Sequence, residues 1–208
     1  MKVKGIPLIW SYVLDENAQG FNLALLGTSY KGNFRGVNVT GLFGIGNENF
    51  DGVSVNGLCG WVDGSFNGVN INGVVGGNEK GGDFKGININ GLVGINDRNF
   101  RGIDVNGLVS YVNNELYGIS YGTLVNYAGT NGRIAIQIGG VNVIREYNPD
   151  GAVIQIGGYN TAGNQAIPVL NIRGWKNLKG EEKRALERVV DEAKSDRKKE
   201  SDLPFLIR

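Results

Sequence analysis

The side chains that could do chemistry in this chain are few. There is no histidine, which removes the commonest general base and metal ligand. A Ser-His-Asp or Cys-His nucleophile cannot be assembled from these residues. Asp51, Asp63, Asp83 and Asp97 are the carboxylates of interest, yet each lies at or beside a turn signal, where aspartate is expected for backbone reasons. No pair is spaced as an acid and base of a glycosidase. The acidic turns match neither an EF-hand loop nor a glycine-aspartate calcium repeat. The glycines form no phosphate loop, since no Gly-Lys-Ser/Thr follows them. Cys59 is the only cysteine, so it fits neither an internal disulfide nor a zinc pattern. It reads as a small apolar filler. The expectation is a non-enzyme with no cofactor and no metal.

The elements that must carry these residues are repeats. Gly36, Gly52, Gly68, Gly86, Gly102 and Gly118 fall in one column of the phrase Phe-x-Gly-Val-x-Val-Asn-Gly-Leu-x-Gly. The steps between them are 16, 16, 18, 16 and 16 residues. A short fixed period means an array of like units. With 35 Gly and 26 Asn, the chain is rich in turn formers, but 41% of its residues are apolar and evenly spaced, unlike a disordered segment. The formal net charge of +1 gives no field that would attract nucleic acid.

Each unit alternates with period two, the signature of strands. Val53, Val55, Cys59 and Trp61 share one face, as do Ile87, Ile89, Val93 and Ile95. This apolar face is expected to be buried. Asn-Gly pairs at Asn56-Gly57, Asn72-Gly73, Asn90-Gly91 and Asn106-Gly107 mark a turn inside each unit. A second turn separates units. Two corners per unit imply strands of about five residues. One unit buries too little apolar surface to offset its own chain entropy, so units must stack and share ladders.

Two all-β architectures fit. In a β-solenoid of 16-residue units, like residues stack in columns, and Asn56, Asn72, Asn90 and Asn106 form an amide ladder. In an antiparallel meander closing into a barrel, each unit is one long strand, resembling a membrane barrel of the cell envelope. The repeated columns favour the solenoid. The polar column Asn38, Ser54, Asn70, Asn88, Asp104 and Ser120 is the candidate binding face, for a protein or glycan partner. Membrane association follows from the barrel alternative.

Residues 1–175 read as the repeat-built domain. Met1 to Trp10 reads as a first strand, without a cleavage site of the kind a signal peptide needs. Residues 176–208 are charged. Leu186, Val189, Val190 and Ala193 recur with helical spacing, predicting a helix over about 181–199 that either caps the array or is a solvated partner-binding tail, followed by an apolar stretch.

Phrases such as Phe21-Asn22-Leu23-Ala24-Leu25-Leu26-Gly27 and Val153-Ile154-Gln155-Ile156-Gly157-Gly158-Tyr159-Asn160 resemble the bacterial surface-repeat proteins of leptospires and Bacteroidetes, whose units read roughly Gly-Val-Gln-Ile-Gly-Leu-Val-Asn. The resemblance covers about residues 20–172. It implies an envelope or surface setting and no known activity. The chain departs from that pattern in its charged C-terminal segment and in lacking a lipoprotein cysteine near Met1.

Overall fold

The computed structural model describes residues 9–14 and 17–174, together with Arg184. Within residues 9–174 every regular element is a strand. The expected helix over 181–199 lies, Arg184 apart, outside the described residues. No helix among the described residues is long and apolar enough to cross a membrane.

The chain winds into a β-solenoid of about nine coils. β1 (Ile9–Leu14) and β2 (Ala18–Tyr30) open it. Four two-legged coils follow, each a seven-residue strand and a four-residue strand joined at the Asn-Gly or Thr-Gly corner. They are β3 (Phe34–Thr40) with β4 (Phe43–Gly46), β5 (Phe50–Asn56) with β6 (Cys59–Val62), β7 (Phe66–Asn72) with β8 (Val75–Asn78), and β9 (Phe84–Asn90) with β10 (Val93–Asn96). β11 (Phe100–Asn106), β12 (Val109–Gly122), β13 (Val125–Ile138), β14 (Val141–Glu146) and β15 (Ala152–Ala162) continue the winding, with the longer strands passing from one coil into the next.

Long legs pair in parallel with long legs, and short with short. Phe50 lies beside Phe34 and Phe66, and Cys59 beside Phe43 and Val75. The parallel register, one coil per step, rules out the barrel alternative, whose meander would pair consecutive strands antiparallel. Among the described strands only β16 (Gln165–Arg173) runs antiparallel, along β15, and it covers the edge left open by the ninth coil.

The faces are the reverse of the sequence expectation. Val53, Val55, Cys59 and Trp61 point outward and are only half-buried. Phe50, Ser54, Asn56, Gly60 and Val62 point inward and are buried. The Phe column is the aromatic core: Phe50, Phe66 and Phe84 stack with ring centroids 4.8 Å apart and planes within 8°. Tyr30, Val62, Val112 and Ile144 complete that core from the short legs.

Glycine has a structural duty in the column that dates the repeat. At Gly52 φ is +138°, and a Cβ would lie 1.9 Å from the carbonyl oxygen of Gly36. No L side chain fits there without displacing the ladder.

Candidate functional site

The six residues expected to form a binding face do share one column, but it runs inside the coils. Asn38, Ser54, Asn70, Asn88, Asp104 and Ser120 are each at most 4% exposed. They are therefore not presented to a partner, and the face assignment is corrected. Register extends the column from Asn22 through Gln137 and Gln155 to Asn171, making a polar spine along the axis. Asn22 donates to Asn38 at 2.7 Å, Asn70 to Asn88 at 3.0 Å, and Gln155 to Gln137 at 2.8 Å.

Beside the spine runs the expected amide ladder. Thr40, Asn56, Asn72 and Asn90 each donate to the next coil at 2.7 Å, ending on Asn106. The space for these amides comes from Gly60, Gly76 and Gly94 on the facing short legs. From the seventh coil the arrangement swaps sides. Gly122, Gly139 and Gly157 occupy the long-leg column, while Asn126, Asn142 and Asn160 fill the interior from the short leg. Asn126 donates to Asn142 at 2.8 Å, and Asn142 to Asn160 at 2.7 Å. The position beside the spine is thus filled by one amide per coil from Asn56 onward, supplied by whichever leg faces a small residue.

Asp104 is the buried ionisable group of the spine. Its carboxyl accepts from Asn88 at 2.8 Å and from Ser110 at 2.5 Å. Burial pushes its pKa up to about 6, and the Ser110, Asn88 and Asn106 side chains around it partly offset the rise. It lies inside the coil at 0% exposure, held by its neighbours in the spine. Asp51, Asp63, Asp83 and Asp97 lie along the edge formed by the turns between coils. Asp63 pairs there with Lys80, and Asp83 lies 3.9 Å from Arg98. Among the described residues no three carboxylate or thiol groups converge as a metal site. Surface clefts are lined by Asn17, Asn33, Arg35 and Asp51, and by Asn49, Ser65 and Asp83, all on this same edge.

The feature left over is the outer surface. The opposite edge of each coil, at the Asn-Gly-Leu corner, presents Leu58, Leu92, Leu108 and Leu124 at 38%, 42%, 37% and 54% exposure. On one flank lie the columns of Val37 and Val39, continued by Ile87 and Ile89. On the other lie those of Phe43 and Ile45, which include Cys59 and Trp61. Asp104 apart, every charged residue between 18 and 162 falls outside the arcs 20–30, 36–46, 52–62, 68–78, 86–96, 102–112, 118–128, 135–144 and 152–162. The solenoid thus has a charged edge and an uncharged, apolar edge.

Its inside follows the opposite rule. Near the charged edge, where Arg35, Asp51, Lys85 and Arg101 face out, the interior is mainly Phe, Tyr, Val, Leu and Ile, with Asn78, Asn96 and Asn131 set among them. Near the apolar edge, the interior is Asn. The change falls at the glycine column of Gly36 and Gly52. A parity signal for this was present in the sequence: Arg35, Asp51, Lys85 and Arg101 stand two residues before Val37, Val53, Ile87 and Ile103, hence on the same, outer face.

No protein-family model, curated protein or solved structure matches the chain.

Proposed function

We propose that this is a non-enzymatic structural or interaction protein whose working surface is its repeated apolar edge. The observation that carries the reading is the outward placement of Leu58, Leu92, Leu108 and Leu124 in register, flanked by apolar columns on both sides. Contiguous exposed apolar surface on a folded domain marks an interaction site. The buried interior supports the same reading, because most of its amides hydrogen-bond one another, Asn96 being the clearest exception. The resemblance to surface-repeat proteins agrees with a setting at the cell envelope.

The test is binding of an apolar dye and the association state of the full chain, beside a variant carrying Val55→Thr, Ile71→Thr and Ile89→Thr. The wild type is expected to bind dye or associate without detergent, and the variant to lose most of both at unchanged secondary structure. A folded monomer that binds no dye overturns the reading, as does substrate turnover that survives in the variant.

A further inference from the structure

Resting on that reading, we infer that the apolar edge inserts into one leaflet of a lipid bilayer, with the charged edge left in water. The carrying observation is the inversion of polarity across each coil. On one side of the glycine column the protein is built largely as proteins in water are, with a stacked Phe column inside, buried Asn78, Asn96 and Asn131 beside it, and Arg, Asp and Lys outside. On the other side it is built for hydrocarbon, with Asn inside and Val, Ile and Leu outside. A boundary in the protein calls for a boundary in the medium.

Dimensions agree. From Gly52 to the Gly57 corner is five residue steps, or about 16 Å at strand rise. One leaflet of the hydrocarbon core is about 15 Å deep. The backbone at the tip is ready for a dry medium, which requires its polar groups to be paired within the protein. Leu58, Val74, Leu92 and Leu108 donate their N–H groups to the carbonyls of Leu42, Leu58, Val74 and Leu92 at 2.8–2.9 Å.

Aromatic residues stand at the expected level. Trp61, Tyr111 and Tyr127 occupy the outer short-leg column nearest the charged turns, and the two tyrosine rings stack 4.9 Å apart. The Tyr111 hydroxyl donates to Asn113, exposed where β12 passes along the charged edge, at 3.2 Å, so the ring lies on apolar surface and its polar tip reaches the wet side. Trp and Tyr favour that position at membrane interfaces.

Other occupants fit less well. The apolar surface wraps three sides, a flank, a tip and the second flank. A second copy laid on one flank leaves the others bare, whereas a fluid medium covers all three. The apolar tail Leu203-Pro204-Phe205-Leu206-Ile207 spans about 17 Å when extended, against about 40 Å of stacked coils. Charged columns of mixed sign, such as Arg35, Asp51 and Lys85, indicate neutral headgroups and not anionic ones.

Cys59 makes the test direct, being the only cysteine and lying on the apolar flank. The full chain would carry a polarity-sensitive fluorophore there and be mixed with phosphatidylcholine vesicles. A second chain, with Cys59→Ser and Glu48→Cys, places the same probe on the charged edge. Expected are flotation with the vesicles that persists in high salt, and quenching by chain-brominated lipid several-fold stronger at position 59 than at 48. A variant with Leu58→Lys, Leu92→Lys and Leu108→Lys is expected to float about tenfold less. These side chains point outward, and circular dichroism checks that the fold persists. If it does not, the comparison of positions 59 and 48 decides alone. A blue-shifted probe with no lipid quenching, in a chain that cross-links as a dimer, overturns insertion but keeps an apolar working edge. No shift, no flotation and no self-association overturn both.

Discussion

Asn72 and Gly76 face each other across the interior of one coil, and a Cβ on Gly76 would lie 1.8 Å from the Asn72 side-chain nitrogen. The amide and the missing side chain form a single fitted pair. The same pair occurs reversed as Gly122 and Asn126.

Breaking this fit one coil earlier has a defined cost. In Gly60→Ala the new methyl meets Asn72 Oδ1 at 2.1 Å and Asn56 Nδ2 at 2.2 Å. Overpacking plus a disrupted buried amide is expected to lower unfolding free energy by about 2–4 kcal/mol. The double variant Asn56→Gly with Gly60→Asn places one amide as in the later coils, clears the Asn56 contact and leaves only Asn72 to shift, and is expected to recover part of the loss in chemical denaturation. A double variant no better than Gly60→Ala would show that the legs are not interchangeable.

Asp104 makes stability fall as pH rises. Its folded pKa of about 6 exceeds the unfolded value of about 3.9, so the folded state holds the proton more tightly. Below about pH 4 both states are protonated and nothing is lost. Between about pH 4 and 6 stability drains away, and above 6 the deficit is constant, about 3 kcal/mol. Asp104→Asn is expected to remove that dependence and to stabilise the protein by about 2–3 kcal/mol at pH 7, with little change at pH 3.5, read from denaturation midpoints across pH. The Ser110 and Ser120 hydroxyls can reverse to accept the new amide, passing their protons on to Asn126.

Two glycines with positive φ separate conformation from space. Gly68 has φ +138° and its Cβ would strike the Gly52 carbonyl oxygen at 1.9 Å. Gly81 has φ +76° and open surroundings. Gly81→Ala is expected to cost about 1 kcal/mol, and Gly68→Ala about 3 kcal/mol or more, or to prevent folding. Equal costs in thermal melts would mean that the contact between coils yields.

The periodicity made the stacking legible. Columns such as Asn56, Asn72, Asn90 and Asn106 favour a parallel array one coil per step over a meander, and the parallel array is what forms. The inside–outside assignment failed because apolarity was equated with burial. That equation holds in water, where Val53 and Val55 would be the natural core. It fails where the interior is filled by amides that satisfy one another, as Asn56 and Asn72 do. The charged residues of matching parity, Arg35 and Asp51, carried the contrary signal. The swap at Gly122 and Asn126 was hidden for another reason. It preserves the volume of the interior while breaking the sequence phrase, so the later coils read as loose copies.

The spine also has a direction. Amide hydrogens point from Asn70 through Asn88 toward Asp104, and hydroxyl hydrogens point from Ser120 through Ser110 back to it. A carboxylate, which only accepts, is the natural meeting point of the two series. Coils with the interior of Asn70 or Asn88 could be gained or lost by tandem duplication with every proton still pointing the right way. Duplicating the Asp104 coil, Ser110 included, would set two carboxyls one coil apart in the buried spine, where two like charges repel. Growth of the array is thus open on either side of one coil and closed at it.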